Sequence, residues 1–248
     1  MMRRAGKTDL GSYLRAFPLL VRHPQIALAP FVAGVAQALL FRVLPGNGGG
    51  SGFLGSANSS IAGLAAQLIG FFGFAVALIV ADTAWRRERA PFDDAWEEAR
   101  RKAGDILMAA IGFGFVVYIA GLLGSFIPLA GPLVLGLLAL FFFIYTLPAA
   151  AVGGVPGGAA LQISVERARA APLPTALVTA IYIAGILYIP AVVVGAVQAP
   201  LLSGNLPAPD IIAILVSAAV RAVCSGYVAL VLAKTYADLS YGRSSARW

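Results

Sequence analysis

Cysteine and histidine are almost missing from this sequence: its 248 residues include one of each, Cys224 and His23. A lone cysteine forms no internal disulfide, and the pair cannot build a Cys/His metal cluster. A histidine-ligated zinc protease and a Ser–His catalytic pair are excluded on the same ground. Charge is scarce too. Asp, Glu, Lys and Arg make up 12% of the chain, against about a quarter in a soluble domain. No acid falls deep inside an apolar run, which counts against a proton-coupled carrier. Nor is there a phosphate-cradling loop: Gly153-Gly154-Val155-Pro156-Gly157-Gly158 lacks the Lys-Ser/Thr that would follow, and reads as a flexible break. No catalytic set, metal site or cofactor site emerges, and the reading is non-enzymatic.

What fills the chain is apolar. Hydrophobic residues make up 60% of it, and the mean hydropathy is +0.86. A soluble fold must still cover itself with polar groups, so a chain this apolar has lipid as its solvent. Six runs approach the roughly 20 residues that a helical span needs: Ile26–Leu44, Ile61–Ala81, Ile106–Ile127, Gly131–Ala151, Ala176–Val197 and Ile211–Ala233. The first is read as an uncleaved span, although Arg3, Arg4 and Lys7 precede it as in a signal peptide. Only Pro128-Leu129-Ala130 parts the third run from the fourth, so those two form a tight hairpin, with Pro128 and Pro132 fixing the turn. Pro190 should kink or loosen the fifth span.

The net charge of +7 does not indicate nucleic acid, because the basic residues lie between the apolar runs. Residues 1–25, 82–105, 152–175 and the tail hold Lys and Arg, while the three intervening connections hold none. That asymmetry places both termini and the two long basic loops in the cytoplasm. One outward loop, from Pro45 through a Gly/Ser run, continues polar to Ser60 and has linker composition.

One unit recurs three times: a cytoplasmic amphipathic helix, a span out, a span back. Its surface helices carry the stripes Leu10, Tyr13, Leu14, Phe17 and Val21; then Phe92, Trp96, Ala99 and Ala103; then Leu161, Val165 and Ala168. In the second, Asp93 and Asp94 open the helix and Arg100, Arg101 and Lys102 close it, in accord with the helix dipole. Glu97/Arg101 and Glu98/Lys102 are i,i+4 pairs. These helices either lie flat at the inner surface or pack on the ends of the spans. Arg15, Arg22, Arg100, Arg101, Lys102, Arg167 and Arg169 are the expected contacts to anionic phospholipid headgroups, each adding about 1 kcal/mol near such a surface. A cytoplasmic protein partner is the other occupant considered for this face. The fold class is thus all-α: one polytopic transmembrane domain over residues 1–248, six helices in three hairpins, each preceded by a cytoplasmic amphipathic helix.

Arg221 is the ionisable residue placed deepest in a span. It follows Ile211 by ten residues, roughly 15 Å at about 1.5 Å per residue. Intramembrane charge is costly and is often functional. Gln37, Tyr118 and Tyr188 count to a similar depth, Ser217 and Ser225 flank Arg221 at i±4, and Gln67 falls nearer the outer side. This set is a candidate midplane polar site. Arg221 has three readings: packing between helices, snorkelling to the outer headgroups, or binding an anionic ligand.

The stretch Thr146-Leu-Pro-Ala-Ala-Ala-Val-Gly-Gly, then Ala159-Ala160-Leu-Gln-Ile-Ser164, then Ala168-Arg169-Ala170-Ala171-Pro172 resembles a loose group of bacterial six-span proteins. The group includes the membrane domain joined to some glycerophosphodiester phosphodiesterases and its stand-alone relatives. There too a span ends in a proline-containing segment, and a short helix with a central Ser precedes the next span. The resemblance covers nearly the whole chain and implies the fold; without an attached catalytic domain it implies no phosphodiesterase activity. Two roles are expected from the sequence: a membrane scaffold or envelope accessory protein of a bacterial inner membrane, or a small permease or lipid/anion-handling protein using the Arg221 layer. A scaffold needs that layer dry and packed. A transporter needs a cavity with Arg221 facing it.

Overall fold

A computed structural model describes residues 10–43, 53–89, 91–128, 130–203 and 209–244. It is all-helical among those residues, and six helices are long and apolar enough to cross a membrane. The chain opens with α1 (Leu10–Arg22) and a short 3-10 turn at Pro24–Ala27, then α2 (Leu28–Val43) and α3 (Phe53–Arg87). Next come α4 (Phe92–Arg101), α5 (Ala103–Gly124), α6 (Gly131–Phe143) and the short α7 (Thr146–Ala151). The last third holds α8 (Gly157–Ala170), α9 (Pro172–Tyr182), a π turn at Ile183–Tyr188, α10 (Ile189–Ser203) and α11 (Pro209–Ser244). A short helix thus precedes each of the first, third and fifth crossings.

All six expected runs are helical, with shifted ends. α3 starts at Phe53, so residues 53–60 continue the helix where the sequence suggested a polar loop. The linker-like residues 44–52 lie outside the described residues. The fourth crossing is broken after Phe143, because Pro148 cannot donate to the carbonyl four residues back and its ring crowds that carbonyl. Pro190 loosens the fifth crossing as one π turn, in which the Ile189 amide reaches back five residues to the Ala184 carbonyl. Between α5 and α6 the turn depends on glycine: a Cβ on Gly124 would lie 2.5 Å from the Pro132 Cα, and one on Gly131 would overlap the Gly124 carbonyl.

α3 and α11 run side by side through the centre, and α2 packs on both. Residues 74–81 of α3, 144–151 around α7 and 228–233 of α11 are buried on every face. All three stretches lie toward the end of the bundle that carries the basic connections. Alanine dominates this core, and small side chains let helix backbones approach closely where lipid supplies no hydrophobic drive. Specific hydrogen bonds add to it. The Trp85 indole N–H donates to the Leu230 carbonyl at 3.0 Å, and Tyr13 and Thr235 hydroxyls meet at 3.4 Å. The Tyr227 hydroxyl donates to the Tyr13 carbonyl.

The short helices differ from the expected stripes. On α1, Tyr13, Ala16 and Leu20 face the protein, while Leu14, Phe17 and Val21 are well exposed. On α4, Ala95 and Ala99 are buried and Trp96 is partly exposed, stacked on Phe92. Of the two i,i+4 pairs, Lys102 and Glu98 meet at 2.6 Å, while Glu97 and Arg101 form no ion pair. The glycine-rich run is held rather than loose: the Val155 amide donates to the Ala149 carbonyl, and the Gly157 amide to the Asp105 carboxylate. One basic residue departs from the charge asymmetry, since Arg42 sits exposed in the last turn of α2, at the opposite end.

Candidate functional site

α11 carries no proline after Pro209, so its helix passes unbroken through Arg221, and Ser225 lies one turn on along the same face. That face looks onto a cavity of about 450 Å³ between α2, α3, the π turn with α10, and α11. Gln37 of α2 and Gln67 of α3 also border it. The Gln37 amide is fixed, donating to the Ala66 carbonyl at 2.6 Å. Gly70 makes that possible, because a Cβ there would overlap the Gln37 nitrogen.

The cavity has two levels. α2 and the fifth crossing run away from the basic end, while α3 and α11 run toward it. Gln37 is seven residues beyond Pro30, and Gln67 seven before Phe74, each step about 10 Å along a helix. The two glutamines therefore share the level farther from the basic end; Arg221 starts three residues nearer that end than the contact of Ala218 with Gly34, and its side chain leans back toward the glutamines. Pro30, Phe74, Tyr182 and Ser225 form the deeper level. There the Phe74 and Tyr182 rings meet edge to face at 6.4 Å and close the floor. Below it, the buried residues 75–81 and 228–233 lie toward the basic end.

Arg221 is exposed and has no hydrogen-bond or ion-pair partner among the described residues. No Asp or Glu lines the cavity. Gln67 and Ser225 likewise make no side-chain hydrogen bond to another described residue. No protein family, curated protein or solved structure matches this chain. The site therefore has to be read from its own chemistry: a positive charge, amide and hydroxyl groups, and an apolar floor.

The sequence-derived layer is assembled in part. Gln37, Arg221 and Ser225 meet at the cavity, and Gln67, which counting along its span had placed off the layer, joins them. Tyr118 and Tyr188 do not: they are 67% and 69% exposed on outer surfaces. Depth along a helix says nothing of rotation about its axis, and the π turn shifts the phase of the fifth crossing just before Tyr188. Ser217 is also outside the lining, and its hydroxyl donates to the Ile214 carbonyl. Tyr182, which no depth count selected, is the tyrosine of the fifth crossing that lines the cavity, at its floor against Phe74.

The seven expected lipid contacts divide as well. Arg15, Arg22, Arg100, Arg101 and Arg169 are exposed. Lys102 is half-buried, tied to Glu98 and donating to the Ala151 carbonyl at 3.1 Å. Arg167 serves the fold: its guanidinium lies 4.0 Å over the Tyr236 ring and donates to the Tyr236 carbonyl and the Ser240 hydroxyl. Among the described residues, no three His, Cys, Asp or Glu side chains gather where a metal ion could sit.

Proposed function

We propose that this is a non-enzymatic six-span protein of a bacterial cytoplasmic membrane that binds and handles an anionic ligand at the Arg221 cavity. Its three hairpins carry both termini in the cytoplasm, as the Lys and Arg distribution implies. The observation that carries the reading is the unpaired Arg221 side chain on a cavity without acids. A cation held away from bulk water is stable only with a counter-charge and hydrogen-bond acceptors, so the cavity favours an anion. The scaffold role ranks second because it needs Gln37, Arg221 and Ser225 to pack against one another, and they border open space instead.

At the cytoplasmic surface, α1 and α4 present Leu14, Phe17, Val21 and Trp96 beside Arg15, Arg22, Arg100 and Arg101. Apolar side chains next to arginines suit the headgroup region of an anionic leaflet. We assign those helices to that surface.

Native mass spectrometry of the protein released from its membrane tests the proposal. An anionic adduct retained by the wild type and lost in Arg221→Gln is the expected result. Identical adducts on both proteins would remove Arg221 from the function.

A further inference from the structure

Resting on that anion-handling reading, we propose that the occupant is an amphiphile drawn from the bilayer: a carboxylate or phosphate head on a hydrocarbon tail, bound with its head at Arg221 and its tail toward Phe74 and Tyr182. The cavity's own polarity carries this. Gln37 and Gln67 border the end of the cavity away from the basic end, and Arg221 and Ser225 line it on α11. The rest of the wall is mainly apolar, with Phe71, Phe74, Ile186 and Leu187. A small hydrated anion would have to give up water on its apolar side for nothing in return. An amphiphile matches both kinds of wall, since its tail meets the apolar side chains while its head meets the charge.

Depth points the same way. Arg221 is ten residues from Ile211 and thirteen from Lys234, roughly 15 and 20 Å along the helix, which puts the cavity at hydrocarbon depth. The packed stretches of α3 and α11 lie between the cavity and the basic end. The lateral side is open. α10 packs chiefly on α11, and its lining residues Leu187 and Ala191 are exposed where the fifth crossing faces α2 and α3. In the bilayer that opening faces lipid tails. The π turn and Pro190 weaken the hydrogen-bond ladder on the same wall, which eases displacement of α10. A volume of about 450 Å³ is within the usual range of small-ligand sites, enough for a head and part of a chain.

The experiment is equilibrium binding to the purified full chain in detergent. The probes are a fluorescent conjugated-polyene fatty acid and dipalmitoyl phosphatidic acid, with acetate and inorganic phosphate as tail-less competitors. Both amphiphiles, or one of them, should bind the wild type, and the stronger identifies the head as carboxylate or phosphate. Acetate and phosphate should fail to compete at a thousandfold excess. Arg221→Gln should weaken binding by about 10- to 100-fold, with Arg221→Lys losing much less. Ala191→Trp, which fills the lateral opening and leaves the charge in place, should also abolish amphiphile binding while the protein stays monodisperse. Tail-less anions binding as tightly as the amphiphiles, through Arg221, would overturn the amphiphile and leave the anion site standing. Binding unchanged in both Arg221 variants, or no binding of any probe, would overturn both.

Discussion

The Ser164 hydroxyl accepts a hydrogen bond from the Tyr145 amide at 3.0 Å and donates one to the Phe142 carbonyl at 2.8 Å. It stands in for the helix where Pro148 breaks the fourth crossing. Tyr145 is fully buried, and its own hydroxyl lies 3.3 Å from that of Thr175 at the start of α9. Thr146 to Pro148 and Ser164, positions behind the sequence resemblance, thus form one structural joint, which Tyr145 ties to Thr175 in the next crossing. Ser164 takes up the Phe142 carbonyl, the acceptor that Thr146 would use four residues back. The Thr146 hydroxyl is fully buried without a partner among the described residues.

Ser164→Ala should therefore destabilise the protein by about 2 kcal/mol, because a buried amide and a buried carbonyl lose their partner together. Thermal unfolding in detergent reads this directly. A melting temperature equal to wild type would mean that the broken crossing re-forms its own hydrogen bonds.

Arg167→Lys keeps the charge but loses the planar fork that stacks on Tyr236 and reaches Ser240. We expect a loss of about 1–3 kcal/mol in stability, with binding to anionic vesicles unchanged. Arg169→Ala, at an exposed position, should do the reverse. Weaker vesicle binding in Arg167→Lys with intact stability would return Arg167 to the lipid surface.

Gly70→Ala pushes a methyl group into the Gln37 amide and should cost about 1–3 kcal/mol. Adding Gln37→Ala removes the collision. The double variant should accordingly be more stable than Gly70→Ala alone, a coupling of about 1 kcal/mol in a double-mutant cycle. Strict additivity would show that the two residues do not touch.

Phe17→Cys in a Cys224→Ser protein, labelled with a polarity-sensitive dye, tests where α1 lies. In vesicles containing anionic lipid the emission should shift to the blue and be quenched by brominated chains. Emission at the wavelength found in water would put the Leu14, Phe17 and Val21 face against something other than lipid.

Hydropathy along the chain was enough to locate the six apolar helices. Runs such as Ile106–Ile127 and Gly131–Ala151 are legible because hydrocarbon demands about 20 apolar residues in a row, a property of consecutive positions. The loosened fifth crossing was legible for the same reason, since proline acts on its own helix. Which side chains meet depends on how the helices pack. Arg221 and Gln37 were marked by depth, but so were Tyr118 and Tyr188, and rotation about each helix axis separates the two pairs. Arg167 and Arg169 sit two residues apart with the same charge, yet one is stacked on Tyr236 and the other faces outward. Contacts of this kind span dozens of residues, from Gln37 to Ala66 or from Arg167 to Tyr236. They depend on how helices turn against each other, and hydropathy, which records only how well each residue tolerates lipid, does not encode that.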